Sequence, residues 1–114
     1  MSQDCLFCKI VAGDIPSDRV FEDDQVIAFK DINPQAPVHT LIVPRQHIST
    51  TNDLTEENAA LLGHMILTAK NIADENDLSE PGYRLIMNCN EQGGQTVYHI
   101  HLHVIGGRQL RGLG

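Results

Sequence analysis

No run of apolar residues in this 114-residue sequence approaches the roughly 20 that a helix needs to span a bilayer. The opening "MSQDCLFCKI" carries neither a basic n-region nor a long apolar stretch. A membrane is not an expected partner, and a cytoplasmic location is the expected one. Basic side chains are scarce: 8 Lys and Arg stand against 15 Asp and Glu, for a formal net charge of -7. Such a surface repels polyanions, which argues against a DNA or RNA polymer as ligand. Cysteines number only three, an odd count that, without an export signal, speaks against a disulfide framework. There is no internal repeat, low-complexity tract or linker. What is present, 41% hydrophobic and 20% charged residues, is the composition of a globular chain and not of a disordered one. One domain over 1–114 with one core is expected.

Along the chain, "DCLFCKIVAG" combines a cap-type residue, Asp4, with Leu6, Phe7, Ile10 and Val11 at helical spacing and a terminal glycine, the pattern of a short helix. "RVFEDDQVIAFKDI" reads as a hairpin, with strands over 20–22 and 26–30 about Asp23-Asp24. The two prolines of "NPQAP" exclude regular pairing there, and a third strand runs over 38–43. Residues 54–76 place Leu62, Met65, Ile66, Ala69, Ile72 and Ala73 on one helical face. Thr55 is the cap, and Glu56 and Glu57 lie in the dipole-favoured first turn. "YRLIMN" over 83–88 is a fourth strand, "CNEQGGQT" a loop, and "VYHIHLHVI" closes the sheet. Cys89 and His64, on that loop and on the long helix, receive no role.

"YHIHLHVIGG" holds His99, His101 and His103 at every second position. A strand over 98–105 turns the three imidazoles to one face and Ile100, Leu102 and Val104 to the core. The outer two are then about 13 Å apart at roughly 3.3 Å per residue. Parallel imidazoles at that separation cannot share one zinc, which needs its nitrogens at about 2.0–2.1 Å. A polar face towards water is one reading. Nucleophilic or acid–base work is the other, because imidazole titrates near neutrality. His39 on another strand, Asn88 at the end of the preceding one, and "GGQT" with its backbone N–H groups and hydroxyl supply the accessories for holding a phosphate.

"HIHLHV" resembles the His-x-His-x-His-x-x pattern of the histidine triad superfamily of nucleotide hydrolases and transferases. "FCKIVAGDIPSDRVFEDD", "KDINPQAPVHTLIVP", "GYRLIMN" and "GGQTVYHIHLHVIGGR" extend the resemblance, in order and over nearly the whole chain, to the Hint branch, the purine nucleoside phosphoramidases. The resemblance implies an α+β fold with a five-stranded antiparallel sheet, one long helix and a short N-terminal helix, in a homodimer with a continuous ten-stranded sheet. It implies hydrolysis of adenosine or guanosine 5′-phosphoramidates, of the AMP–NH2 or AMP–lysine type, to the mononucleotide. His101 would attack the α-phosphorus to form a nucleotidyl-histidine. His103 would contact the transferring phosphate, and His39 and His99 would complete the apparatus. A neutral imidazole nucleophile divides one hard displacement into two easier ones. Its other nitrogen should keep a proton on an acceptor such as a backbone carbonyl. Asp31 would accept the ribose hydroxyls, Ile32 line the base pocket, and Asn88, Gly94, Gln95 and Thr96 hold the phosphate, with Thr96 near it or the leaving group. No cofactor is required for this chemistry. In many members a longer C-terminal segment, with a tryptophan in some, affects leaving-group choice; here "RGLG" follows "GGRQL" and tryptophan is absent.

"CLFC" reads either as a redox pair, as half a zinc site, or as two small buried residues on a helix. A thioredoxin-like strand before it is missing. By resemblance to some bacterial members of the superfamily, Cys5, Cys8, His47 and His99 would form a four-ligand site of the closed kind that is usually structural, holding Zn²⁺. Three rival functions remain at this level: a nucleotide-binding interaction module with little turnover, a dinucleotide polyphosphate hydrolase, and a zinc-centred hydrolase.

Overall fold

The structure, a computed structural model, describes residues 5–114. Its elements run α1 (Leu6–Ala12), β1 (Arg19–Glu22), β2 (Val26–Lys30), β3 (Val38–Pro44), α2 (Ala59–Glu75), β4 (Tyr83–Ile86) and β5 (Leu102–Gly106). Single 3-10 turns lie at Thr51–Asp53, Glu56–Asn58 and Glu91–Gly93. The strands form one antiparallel sheet in the order β1-β2-β3-β5-β4. Among the described residues, no helix is long and apolar enough to cross a membrane.

Both faces of the sheet centre are covered, which is why β2 and β3 read as near-continuous apolar runs and not as an alternation. On one face α2 packs Met65, Ala69, Ile72 and Ala73 against Val26, Ala28, Ile42, Ile100, Leu102 and Val104. On the other, Phe7 and Ile10 of α1 pack against Ile27, Phe29, Leu41 and Val43. The apolar side of the histidine segment therefore supports the core as expected, but its polar side is roofed by α1 and does not simply face water.

Three local expectations need correction. The cap of α1 is Cys5, whose Sγ accepts the Cys8 N–H at 3.3 Å; Asp4 lies outside the described residues. Gly13 closes α1 in the left-handed region at φ 85°, where glycine carries no Cβ penalty. The long helix starts at Ala59 and not near Leu54. Thr55 caps the preceding 3-10 turn instead, in a reciprocal box with Asn58. Its buried stripe runs through Leu61, Met65, Thr68 and Ile72, which leaves Ile66 half exposed. His64, on the flank of this stripe, reaches the β1–β2 turn and bonds Asp23 Oδ2 at 2.7 Å.

The third correction concerns the histidine segment. β5 begins only at Leu102, so His103 alone of the three histidines lies in a strand. In the β3–β5 register, which pairs Ile42 with Leu102, the position opposite Ile100 would be Pro44. Proline has no N–H to continue the ladder. The ladder thus has no donor for the Ile100 carbonyl; the Ile100 N–H donates to the Ile48 carbonyl at 2.7 Å, and this part of the chain lies outside the sheet. β4 likewise ends at Ile86, placing Asn88 in the following loop.

Candidate active site

β3 and β5 bring His39 and His103 to adjoining positions on one face, since Leu41 pairs with His103 and His39 with Ile105. The protons on this pair follow from one fixed donor. The backbone N–H of Gln35 donates to His39 Nδ1 at 3.0 Å, so the neutral ring carries its hydrogen on Nε2. That hydrogen points to His103 Nδ1 at 2.9 Å, with Asp31 Oδ2 further off at 3.4 Å. His103 then accepts at Nδ1 and carries its own hydrogen on Nε2, a buried nitrogen without a partner among the described residues. Burial, followed by the neighbouring His101 and His39, pushes the His103 imidazole down to about 4. Burial lowers His39 too, against an opposing pull from Asp31.

His101 is oriented differently. Its Nδ1–H donates to the His99 main-chain carbonyl at 2.8 Å, which leaves the Nε2 lone pair without a partner among the described residues. The ring is buried, and that burial lowers its pKa against the raising effects of the carbonyl and Asp31. At neutral pH it is an uncharged imidazole with one exposed-electron nitrogen, the form a nucleophile needs. Phe7 stands edge-on to it, with ring centroids 5.0 Å apart and planes at 90°.

Asp31, partly buried, is held by its N–H on the His39 carbonyl at 3.0 Å, and its Oδ1 accepts the Asn33 N–H at 2.8 Å. Ile32 beside it is 99% exposed, an apolar side chain with no core to serve. Asn88 faces Gly94: a Cβ on that glycine, which has φ 87°, would lie 4.0 Å from Asn88 Nδ2. The side chain of Gln95 is buried and spent within the loop. Its Oε1 accepts the Asn90 N–H at 2.8 Å, and its Nε2 donates to the Ser49 and Val97 carbonyls at 2.7 and 3.1 Å. Any contact of Gln95 with a ligand would come from its backbone. Thr96 is exposed and lines an open groove of about 690 Å³ with Cys5, Leu6, His47, Ser49, Val97 and Tyr98.

Cys5 and His47, which line that groove, converge with Cys8 and His99, the four ligating atoms all lying within 4.8 Å of one another. The two Nδ1 atoms are 3.3 Å apart, and sulfur-to-nitrogen distances are 3.3 Å (Cys5–His99), 3.3 Å (Cys8–His47) and 3.5 Å (Cys8–His99). A tetrahedral zinc with bonds of about 2.0–2.1 Å to nitrogen and about 2.3 Å to sulfur spans edges of roughly 3.3 to 3.6 Å between these atom types. The protonation pattern fits too. His99 Nε2 donates to the Pro44 carbonyl at 2.7 Å, so its Nδ1 lone pair faces the cluster, and Ser49 Oγ, 3.3 Å from His47 Nε2, can accept that nitrogen's proton when His47 Nδ1 serves as a ligand. Burial and the adjacent Cys5 push the Cys8 thiol up to about 11, so thiolate there requires a cation. Asp31, His39 and His103 also converge. The Gln35 N–H occupies the His39 Nδ1 lone pair, however, and puts a hydrogen on the nitrogen a metal would need.

Sequence reasoning thus located the four cluster residues and the histidines, but not Phe7, Pro44 or the inward course of the Gln95 side chain. Only the position of Phe7 between two cysteines gave any hint. Chains with similar sequence and shape are known. The family model described as "Scavenger mRNA decapping enzyme C-term binding" matches residues 4–112. A purine nucleoside phosphoramidase of Escherichia coli (strain K12) is 53% identical over 110 residues, 96% of this chain and 92% of that protein. The crystal structure of a HIT family hydrolase from Legionella pneumophila superposes with a TM-score of 0.94 at 54% identity, covering 95% of this chain and 96% of that one. A zinc-bound histidine triad family protein from Mycobacterium smegmatis gives a TM-score of 0.82 at 35% identity, covering 95% of this chain and 78% of that one. With a family model spanning nearly its whole length and relatives at more than half identity, this chain belongs to the histidine triad family.

Proposed function

We propose that the protein is a purine nucleoside phosphoramidase, hydrolysing adenosine or guanosine 5′-phosphoramidates to the nucleoside monophosphate. The observation that carries this reading is the His101 imidazole, neutral and tied at Nδ1 to the His99 carbonyl, with Nε2 left to attack. Attack on the α-phosphorus forms an Nε2–P bond and breaks the phosphorus–nitrogen bond to the leaving amine, which takes up a proton as it departs. Water then attacks the nucleotidyl-histidine, breaking the Nε2–P bond and restoring the imidazole. The Nε2–H of His103, unpartnered among the described residues and backed by the His39 hydrogen bond, is the donor we assign to a phosphoryl oxygen. Asn88 and the backbone at Gly94, Gln95 and Thr96 are assigned to the same phosphate. Asp31 retains lone pairs for two vicinal ribose hydroxyls, and the exposed Ile32 offers an apolar surface to the base.

Cys5, Cys8, His47 and His99 would hold a zinc ion that ties α1 to the segments following β3 and preceding β5; no reaction step passes through it. A homodimer is part of the same reading. Among the described residues β4 is a sheet edge with its outer side unpaired, and Ile66 and Leu67 are exposed on α2.

Hydrolysis of adenosine 5′-phosphoramidate by the purified protein and by His101→Ala, with nucleotide binding followed in parallel, tests the reading. AMP from the wild type, and binding without AMP from the variant, is the expected result. Binding by both with AMP from neither would make the protein a nucleotide-binding module, and preferential cleavage of a dinucleoside polyphosphate would change the substrate class.

A further inference from the structure

Cys5 and Cys8 bracket Phe7, and Phe7 is the α1 residue that meets His101. Its ring is buried at 4% exposure, lies edge-on to His101 at 5.0 Å, and touches His99 at 6.1 Å and Phe29 at 5.6 Å between centroids. His101 is therefore held from two sides: at Nδ1 by the His99 carbonyl and by the perpendicular ring of Phe7. Both supports are tied to the four-ligand cluster. His99 contributes its imidazole Nδ1 to the cluster and its main-chain oxygen to His101. Phe7 is fixed by the residues one turn of helix apart on either side of it, one of them the helix cap. With only seven residues, α1 is far shorter than the roughly 12–15 residues at which isolated helices become even marginal in water, so its position depends on what ties it down.

We propose that Phe7 is a positioning residue for His101. On this view, a tetrahedral divalent ion held by Cys5, Cys8, His47 and His99 sets the orientation of that imidazole through Phe7 and the His99 carbonyl together. The inference rests on His101 as the nucleophile, and it makes the cluster more than a structural clip. Metal occupancy governs how narrowly the attacking nitrogen is aimed, without the ion touching the reacting atoms. An imidazole free to rock or to exchange its tautomer spends less time in an attack geometry, and misplacements near 1 Å cost up to about 10²-fold in rate.

The test is the ¹⁵N imidazole spectrum of His101 together with kcat and KM on adenosine 5′-phosphoramidate. It compares the Zn²⁺-loaded protein, the chelator-treated protein, Phe7→Leu and Ile10→Val. Ile10 lies in the same apolar cluster one turn further along α1 and controls for loss of packing alone. In loaded wild type, His101 should give one sharp pattern with the proton on Nδ1. Chelation, or Phe7→Leu with metal present, should broaden or average that pattern and lower kcat about tenfold with KM changed less than about twofold. Chelation of Phe7→Leu should add little, because both changes remove one coupled restraint. Ile10→Val should keep the pattern and kcat.

An unchanged His101 pattern in chelated protein that retains its circular dichroism overturns the metal link. A wild-type pattern and kcat in Phe7→Leu overturns the role of Phe7. Should chelation unfold the chain, loaded Phe7→Leu against loaded Ile10→Val still decides. If the wild type releases no AMP while the His101 pattern responds as described, the enzymatic reading falls and the positioning link stands.

Discussion

His99 and His101 are separated by one residue, yet they carry their protons on opposite nitrogens. His99 is bonded through Nε2 to the Pro44 carbonyl and turns Nδ1 towards two sulfurs and another imidazole. His101 is bonded through Nδ1 to the His99 carbonyl and leaves Nε2 free. The side chain is the same in each case. What differs is which nitrogen meets a backbone acceptor, and that choice turns one imidazole's lone pair to the cysteine cluster and suits the other to the nucleophilic role proposed for it. The third histidine, His103, follows another rule, since its tautomer is passed to it from the Gln35 N–H through His39. Three histidines at alternate positions thus serve three environments, separated where Pro44 interrupts the ladder and the segment leaves the sheet.

The two regions can be separated experimentally. His101→Ala should remove catalysis on the order of 10⁶-fold, as loss of a nucleophile does elsewhere, while thermal stability and zinc content stay near wild type. Cys8→Ser, or chelation, should show the reverse weighting. A loss of several kcal/mol in unfolding free energy by thermal denaturation is expected, with turnover reduced about tenfold and not abolished. If Cys8→Ser abolished turnover in a chain that remained folded, the division between ligand and nucleophile would fail.

Acid should act on the His39–His103 arm. His103 is held at about 4, below its ordinary 6.5, so between those values the unfolded chain binds a proton that the folded chain refuses. Stability at that site is greatest above about pH 6.5 and falls as pH is lowered towards 4. Below that the folded chain protonates as well, and His103 Nδ1 can no longer accept from His39. Denaturant unfolding of wild type and His103→Gln across this range should show the wild-type decline flattened in the variant.

Smaller effects lie further from both clusters. Gln95→Ala strands the Asn90 N–H and the Ser49 carbonyl and should cost about 1–3 kcal/mol, with KM raised as the phosphate loop loosens. His64→Ala removes a half-exposed bond to Asp23 and should cost no more than about 1 kcal/mol, with kcat and KM unchanged.

Periodicity made much of this architecture legible in the sequence. β2 spans Val26–Lys30 as its pattern predicts, β1 and β3 each gain one residue, and five strands with one long helix match the expected α+β fold. Shape matches to histidine triad structures agree with that fold. The expected start of α2 lies too early because Thr55 is a good cap for any turn, and here the turn is a 3-10 one ahead of the helix. Ile66 departs from its expected place on the buried face because the helix is rotated to bury Leu61 and Thr68, a choice made by the sheet it packs on and invisible to spacing. The strand over 98–105 failed at a single proline on a different strand, a constraint that only the register reveals. The same applies to the site. Residue types and motifs identify Cys5, Cys8, His47, His99, His101 and His103. Which nitrogen each imidazole presents depends on carbonyls and N–H groups contributed by Pro44, His99 and Gln35, through backbone atoms that side-chain identity does not encode.

The most direct test of this account is to quench a reaction of the protein with adenosine 5′-phosphoramidate within its first turnovers and map the adenylylated peptide by mass spectrometry. The adduct is predicted on His101, absent from His101→Ala, and lost on acid treatment as a phosphorus–nitrogen bond should be. Steady AMP release with an adduct on another residue, or with ¹⁸O from water and inverted configuration at a chiral phosphorus and no adduct at all, would contradict it.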